Sequence, residues 1–252
     1  MDDYQFIKNL SKGSFGEVKC YENIKTKEKV AIKFVPKDRC TLIQNELVNH
    51  DVVSQHPNII NIYNMFIHEN DICIVLEYAE HGDLLAVMNK GCKILTEDMI
   101  KYFMKNLLLA VDHCHLNNVV HCDIKLENIL INKCGDVKLC DFGYSQNINV
   151  YSKSRIGTLQ YIAPEILLQN IKDYRKVDIY ACGVSMYILL HVKYPFHAAT
   201  PQDIMKNILL NKYDILRTDV SESCLDIMER MLKRDPCERI SMIELLNHPW
   251  FD

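Results

Sequence analysis

No apolar run in this 252-residue chain is long enough to cross a bilayer, and neither sign of charge dominates: 29 Lys and Arg stand against 33 Asp and Glu. The first absence argues against a helical membrane span. The second removes any bulk attraction to nucleic acid or to anionic lipid, so neither is an expected partner. Cys-x-x-Cys pairs are missing, as is any Cys/His spacing suited to zinc. The eleven cysteines are scattered, and an odd number argues against a closed disulfide framework. They are expected to be small buried apolar residues in a reducing compartment. The opening Met1-Asp2-Asp3-Tyr4-Gln5 has no basic region followed by an apolar run. No secretory leader is therefore expected, and the location is intracellular, cytoplasmic by default with the nucleus open. No repeat, low-complexity tract or Gly/Ser linker divides the chain, and its length suits one domain of two lobes.

What is present begins as strands. Residues 4–10, 16–21, 29–35, 62–68 and 72–78 are short β-branched or aromatic runs bounded by turn-like polar residues. A helix over about 41–55 interrupts them. The remainder reads as helical. Thr96 is a good N-cap, followed by Glu97 and Asp98 against the helix dipole. Met99, Phe103, Leu107, Ala110, Val111 and Cys114 follow at helical spacing. Thr200-Pro201 pairs an N-cap with proline at the first helical position, and Ser241 with Glu244 forms a capping box. A strand-rich front and a helix-rich back predict an α+β bilobal architecture.

The chemistry concentrates in His121-Cys122-Asp123-Ile124-Lys125-Leu126-Glu127-Asn128, with Asp141-Phe142-Gly143 thirteen positions on. That order supplies a candidate base (Asp123), a phosphate-facing cation (Lys125) and two metal ligands (Asn128, Asp141), the parts phosphoryl transfer needs. A carboxylate in a loop is ordinarily a solvated turn residue; this many positions in the right order leave that reading little room. Upstream, Ser11-Lys12-Gly13-Ser14-Phe15-Gly16-Glu17-Val18 lies between two predicted strands. Glycines there let backbone N–H groups approach phosphates closely, although the fragment alone is equally an ordinary hairpin turn. Val30-Ala31-Ile32-Lys33 follows in a strand.

Taken together these segments resemble eukaryotic protein kinases, and the likeness covers residues 4–251, with a boundary near 78/79 between an N lobe (1–78) and a C lobe (79–252). The resemblance implies ATP and Mg2+, transfer to protein substrates, and a set of roles. Lys33 would hold the α- and β-phosphates, paired with Glu46, the first choice because Leu47, Val48 and Val52 give its helix an apolar face. Ser11, Gly13 and Gly16 would cover the phosphates, Ser11 departing from the usual glycine. Val18 and Ala31 would cover adenine. Glu77-Tyr78-Ala79 would be the hinge, with Leu76 before it as gatekeeper, and Asp83 would contact the ribose. Asn128 and Asp141 would hold magnesium. Cys140, beside Asp141, would border the nucleotide pocket, either open to electrophiles or an inert core thiol.

Further matches concern the acceptor and its platform. Lys125 and Thr158 match serine/threonine kinases, Glu165 would pair with Arg239, and Asp178 would brace the catalytic loop, with Tyr180 in place of the usual tryptophan. Asp83 and Glu127 match acids that face an arginine three residues before the phosphoacceptor, while Ile188 is apolar where a nearer arginine is read; a moderate basophilic preference follows, against the reading of ordinary surface acids. Cys122 replaces the arginine that pairs with an activation-segment phosphate, so dependence on phosphorylation of Ser154 or Ser152 is expected to be weak. Asn45-Glu46-Leu47-Val48-Asn49-His50 and Asp141-Phe142-Gly143-Tyr144-Ser145 are similar to the AMP-activated and plant sucrose-non-fermenting-related kinases. His50 stands where most kinases carry an apolar residue. Two other readings stay open: a scaffolding pseudokinase, supported by Cys122 and Ser11, and a small-molecule kinase, opposed by Ala163-Pro164-Glu165 and Arg239. Nothing in the chain specifies an oligomer, and a monomer is the default.

Overall fold

A computed structural model describes residues 1–13, 16–91, 95–149, 157–217 and 219–252. Five antiparallel strands form the front sheet: β1 (Tyr4–Gly13), β2 (Gly16–Asn23), β3 (Lys29–Pro36), β4 (Ile62–His68) and β5 (Asp71–Glu77), in spatial order β1-β2-β3-β5-β4. Helix α1 (Cys40–Val53) lies between β3 and β4. Alternation along β3 sends Val30 and Ile32 into one small core with Cys73 and Val75, while Ala31 and Lys33 face the other way, into the cleft. The predicted strands hold, each within three residues of its observed ends.

The rear is helical: α2 (Leu84–Gly91), α3 (Glu97–Leu116), α4 (Pro164–Leu167), α5 (Tyr174–His191), α6 (Pro201–Leu210), α7 (Glu222–Met231) and α8 (Met242–Leu246). Short strands β6 (Gly82–Asp83), β7 (Val119–Val120), β8 (Ile129–Ile131), β9 (Val137–Leu139) and β10 (Gln146–Asn147) frame the loops between them. The predicted caps form: Thr96, Thr200 and Ser241 accept from the backbone N–H of Met99, Asp203 and Glu244.

Helix α5 is buried from Val177 to His191. A helix apolar nearly all round must be central, and α3 and α7 pack on it. Gly183 permits the second contact, since a Cβ there would meet Met231 Cβ at 2.8 Å. The predicted seam of α3 holds at Leu107, Ala110, Val111 and Cys114 and is corrected at its start: Met99 is 44% exposed and Phe103 packs only at the margin of the core, whereas Ile100 and Met104 are buried. The two predicted positions preceding Leu107 sit one residue off the buried face.

Candidate active site

A cavity of about 470 Å³ separates sheet from helices. It gathers Ser11, Gly16, Val18, Ala31 and Lys33 from the sheet, Glu46 from α1, Glu77, Ala79 and Asp83 from the crossing segment, and Asp123, Lys125, Asn128 and Asp141 from the helical part. Gly13 faces Gly16 across the end of the β1–β2 hairpin; Ser14 and Phe15 lie outside the described residues, as do Ser152 and Ser154. Gly16 has no room for a side chain, because a Cβ would sit 2.0 Å from the Phe34 carbonyl oxygen.

Lys33 is held opposite Val18 on β2 and Ile74 on β5. Its Nζ bonds the Glu46 carboxylate and lies 4.0 Å from Asp141 Oδ1. Burial pushes the Glu46 carboxyl up, against the pull of Lys33. The pairing is the expected one, but the reason given for it is corrected: Val48 and Val52 are 59% and 51% exposed. The face of α1 turned inward carries Ile43, Glu46, Asn49, His50 and Val53, three of them polar. His50 Nε2 lies 2.7 Å from the Ile60 carbonyl oxygen, its ring stacks on Phe142 at 4.6 Å, and burial lowers its pKa to about 4.

The loop carrying Asp123 hangs on one buried carboxylate. Asp178, fully enclosed in α5, accepts from Cys122 N (2.8 Å), His121 N (2.9 Å) and His115 Nε2 (2.9 Å). Those bonds hold Cys122 at φ +62°, a left-handed conformation costing an L-residue roughly 1–2 kcal/mol. Asp123 is thereby presented to the cleft with both oxygens engaged. Oδ1 accepts from Thr158 N (3.1 Å) and Thr158 Oγ1 (3.2 Å); Oδ2 accepts from Lys125 Nζ (2.7 Å) and Asn128 Nδ2 (3.2 Å). Lys125 also donates to Thr158 Oγ1 at 3.0 Å. Burial works against the Lys125 charge, but Asp123 outweighs it and the pKa rises. Asn128 spends its amide nitrogen on Asp123, which leaves its amide oxygen for other bonds, and Asp141 lines the same cavity. Such oxygen donors suit Mg2+.

Below the loop, Arg239 clamps Glu165 through two bonds of 2.7 and 3.0 Å and stacks its guanidinium on Tyr180 at 4.9 Å. Both partners are buried and all three guanidinium nitrogens are engaged, since Lys233 O accepts from Nε and Lys176 O from Nη1. The Glu77 side chain faces Lys138 (2.8 Å) and Asn61. Asp83 Oδ1 caps Ala86 N at 2.7 Å, and Glu127 Oε2 lies 3.4 Å from Tyr161 Oη. Ile188 is in the core. Cys140 lines the cleft and burial pushes its thiol up, which disfavours the nucleophilic thiolate. Gln146 donates to Cys122 Sγ at 3.6 Å, where an arginine would have offered charge.

Among the partners that escaped the reading of the sequence are His115, Lys138 and Ser145. A signal existed for His115, which falls on the buried face of α3 seven residues after Leu108 and four after Val111; a polar residue there implies a buried partner. Lys138 and Ser145 had no local signal.

The family model described as protein kinase domain matches residues 4–251. Serine/threonine-protein kinase SAPK7 of Oryza sativa subsp. japonica is 35% identical over 263 residues, covering 100% of this chain and 72% of the relative. Serine/threonine-protein kinase SRK2I of Arabidopsis thaliana is 36% identical over 264 residues, covering 99% and 72%. SAPK2 of Oryza sativa subsp. indica is 34% identical, covering 100% and 77%.

Proposed function

The chain belongs to the protein kinase domain family, and on that premise we propose that it moves the γ-phosphoryl group of ATP to serine and threonine hydroxyls of proteins, with Asp123 as the base. Its relatives are named serine/threonine kinases. The observation that carries the assignment of roles is the fourfold anchoring of Asp123, which fixes one carboxylate in the cavity of about 470 Å³.

Asp123 orients the acceptor hydroxyl and takes its proton as the oxygen bonds to phosphorus. The bond to the departing ADP oxygen breaks in line. Lys125 neutralises the transferring group, and Lys33, kept in place by Glu46, faces the phosphates closer to the nucleoside. Asn128 and Asp141 would hold Mg2+, which when bound neutralises developing charge on the phosphate oxygens. Ser11, Gly13 and Gly16 cover the phosphates, Val18 and Ala31 the base, Ala79 and the Glu77 backbone the base edge, and Asp83 the ribose. The two lobes meet near residues 78 and 79. Glu127 and the Asp83 oxygen not used in capping favour arginine three residues before the acceptor, and Gln146 against Cys122 supports a loop ordered without a phosphate. Protein substrates and ATP are the partners, and the setting is intracellular.

Transfer from ATP with Mg2+ to a mixed peptide array, wild type beside Asp123→Asn, tests this. Phosphate on serine or threonine that disappears in the variant is expected. ATP binding without transfer above the variant would instead make the chain a nucleotide-binding scaffold.

A further inference from the structure

Helix α1 carries Glu46, so the Lys33 pair exists only while α1 is docked. Ile43 and Leu47 seat the helix on a small apolar cluster and Val53 enters the main core, but the rest of its inward face is polar. Val48 and Val52 face solvent, and the inward face offers Glu46, Asn49 and His50 between Ile43 and Val53. A hydrogen bond ties that face to the chain following Asp141: Asn49 Nδ2 donates to Ser145 Oγ at 3.0 Å. Both side chains are buried, at 6% and 7% exposure. Ser145 is itself committed. Its hydroxyl donates to the Phe142 carbonyl at 2.6 Å, and its backbone N–H reaches the same oxygen at 2.9 Å. With the proton spent on Phe142, only a lone pair remains for the helix, and only a donor at position 49 can use it.

We propose that Asn49 and Ser145 form a latch that registers α1 against the Asp141–Ser145 turn, making both positioning residues for phosphoryl transfer. The inference rests on the kinase reading above. The latch acts on two ends of the site at once: it seats Glu46 against Lys33, and it holds α1 to the hydroxyl that closes the turn after Asp141. Its bond is buried, so an unmatched partner stays unsolvated when the other is lost. Asn49→Asp keeps the shape but turns the donor into an acceptor facing an occupied oxygen. Ser145→Ala removes the acceptor, and Ser145→Thr retains it.

The test measures kcat, ATP KM, melting temperature and amide hydrogen exchange of residues 43–53 for wild type, Asn49→Asp, Asn49→Ala, Ser145→Ala, Asn49→Ala with Ser145→Ala, Ser145→Thr, and Val48→Ala on the outer face. Expected are a fall in kcat of about tenfold in each Asn49 variant and in Ser145→Ala, faster exchange in α1, and a double variant no worse than its poorer single. Ser145→Thr and Val48→Ala keep wild-type kcat. Additive losses, or folded variants with unchanged kcat and exchange, overturn the latch. Should the Asn49 variants fail to fold, Ser145→Ala against Ser145→Thr decides by the same readouts. Absence of transfer by wild type in the same assay would count against the kinase reading, whereas transfer by wild type with no effect of the variants counts only against the latch.

Discussion

Replacing Asp178 with asparagine tests how the active loop is held. The aspartate offers two acceptor oxygens to three donors: Oδ1 to Cys122 N, and Oδ2 to His121 N and His115 Nε2. Asparagine has the same shape but one acceptor and one donor. With its oxygen toward Cys122, the His121 and His115 bonds are lost; turned over, Cys122 N faces an amide. Either way at least one backbone N–H of the loop loses a charged partner in a fully buried site, a loss of about 1.5–3 kcal/mol. Cys122 at φ +62° depends on that bond to stay in a left-handed conformation, so the segment carrying Asp123 relaxes. If the loss falls wholly on the transition state, kcat drops about 10- to 150-fold. ATP KM should stay within about threefold of wild type, because Lys33 and Glu46 are held by other elements. The assay is steady-state transfer to a peptide, with melting followed in parallel to show that the variant is folded. A folded Asp178→Asn protein with kcat within about twofold of wild type would refute the reasoning that this carboxylate sets the loop.

Two further outcomes follow from the same geometry. Gly157→Ala places a Cβ 2.7 Å from both Asp123 Oδ1 and the Cys122 carbonyl oxygen, so kcat should fall at least about tenfold in a protein that still melts cooperatively; unchanged kcat would mean the 157–158 segment shifts freely. His50 is buried neutral, with its pKa lowered from 6.5 to about 4. Its contribution is therefore fully present above pH 6.5 and is lost as pH falls toward 4, by about 3 kcal/mol over that window. Denaturant titrations at pH 7 and pH 4.5 should show a smaller acid loss in His50→Leu than in wild type, and parallel losses would exclude His50 as a source of acid sensitivity.

Much of this molecule is written locally. Strands at 62–68 and 29–35 follow from β-branched runs between polar turns, and Thr96, Thr200 and Ser241 start helices because a side-chain oxygen can satisfy an orphan N–H three residues away. The candidate chemical residues Asp123, Lys125, Asn128 and Asp141 stand out in the sequence because they lie within a short stretch whose order mirrors phosphoryl transfer, and the fold brings them to one cavity. Even there, local pattern misjudged faces. Met99 and Val48 looked like core residues by spacing, yet they are exposed, since which side of a helix is buried depends on the neighbour it meets.

What the sequence by itself determined is the inventory: which residues can donate, accept, carry charge or cap, and in what order they occur. Tertiary structure decided the pairings that make the inventory work. Asp178 reaches His121 and Cys122 across more than fifty residues, Arg239 reaches Glu165 across 74, and Asn49 reaches Ser145 across 96. No local signal marks such partners, because a buried polar group is satisfied by whatever the fold brings within about 3 Å, and that is set by the packing of the whole chain.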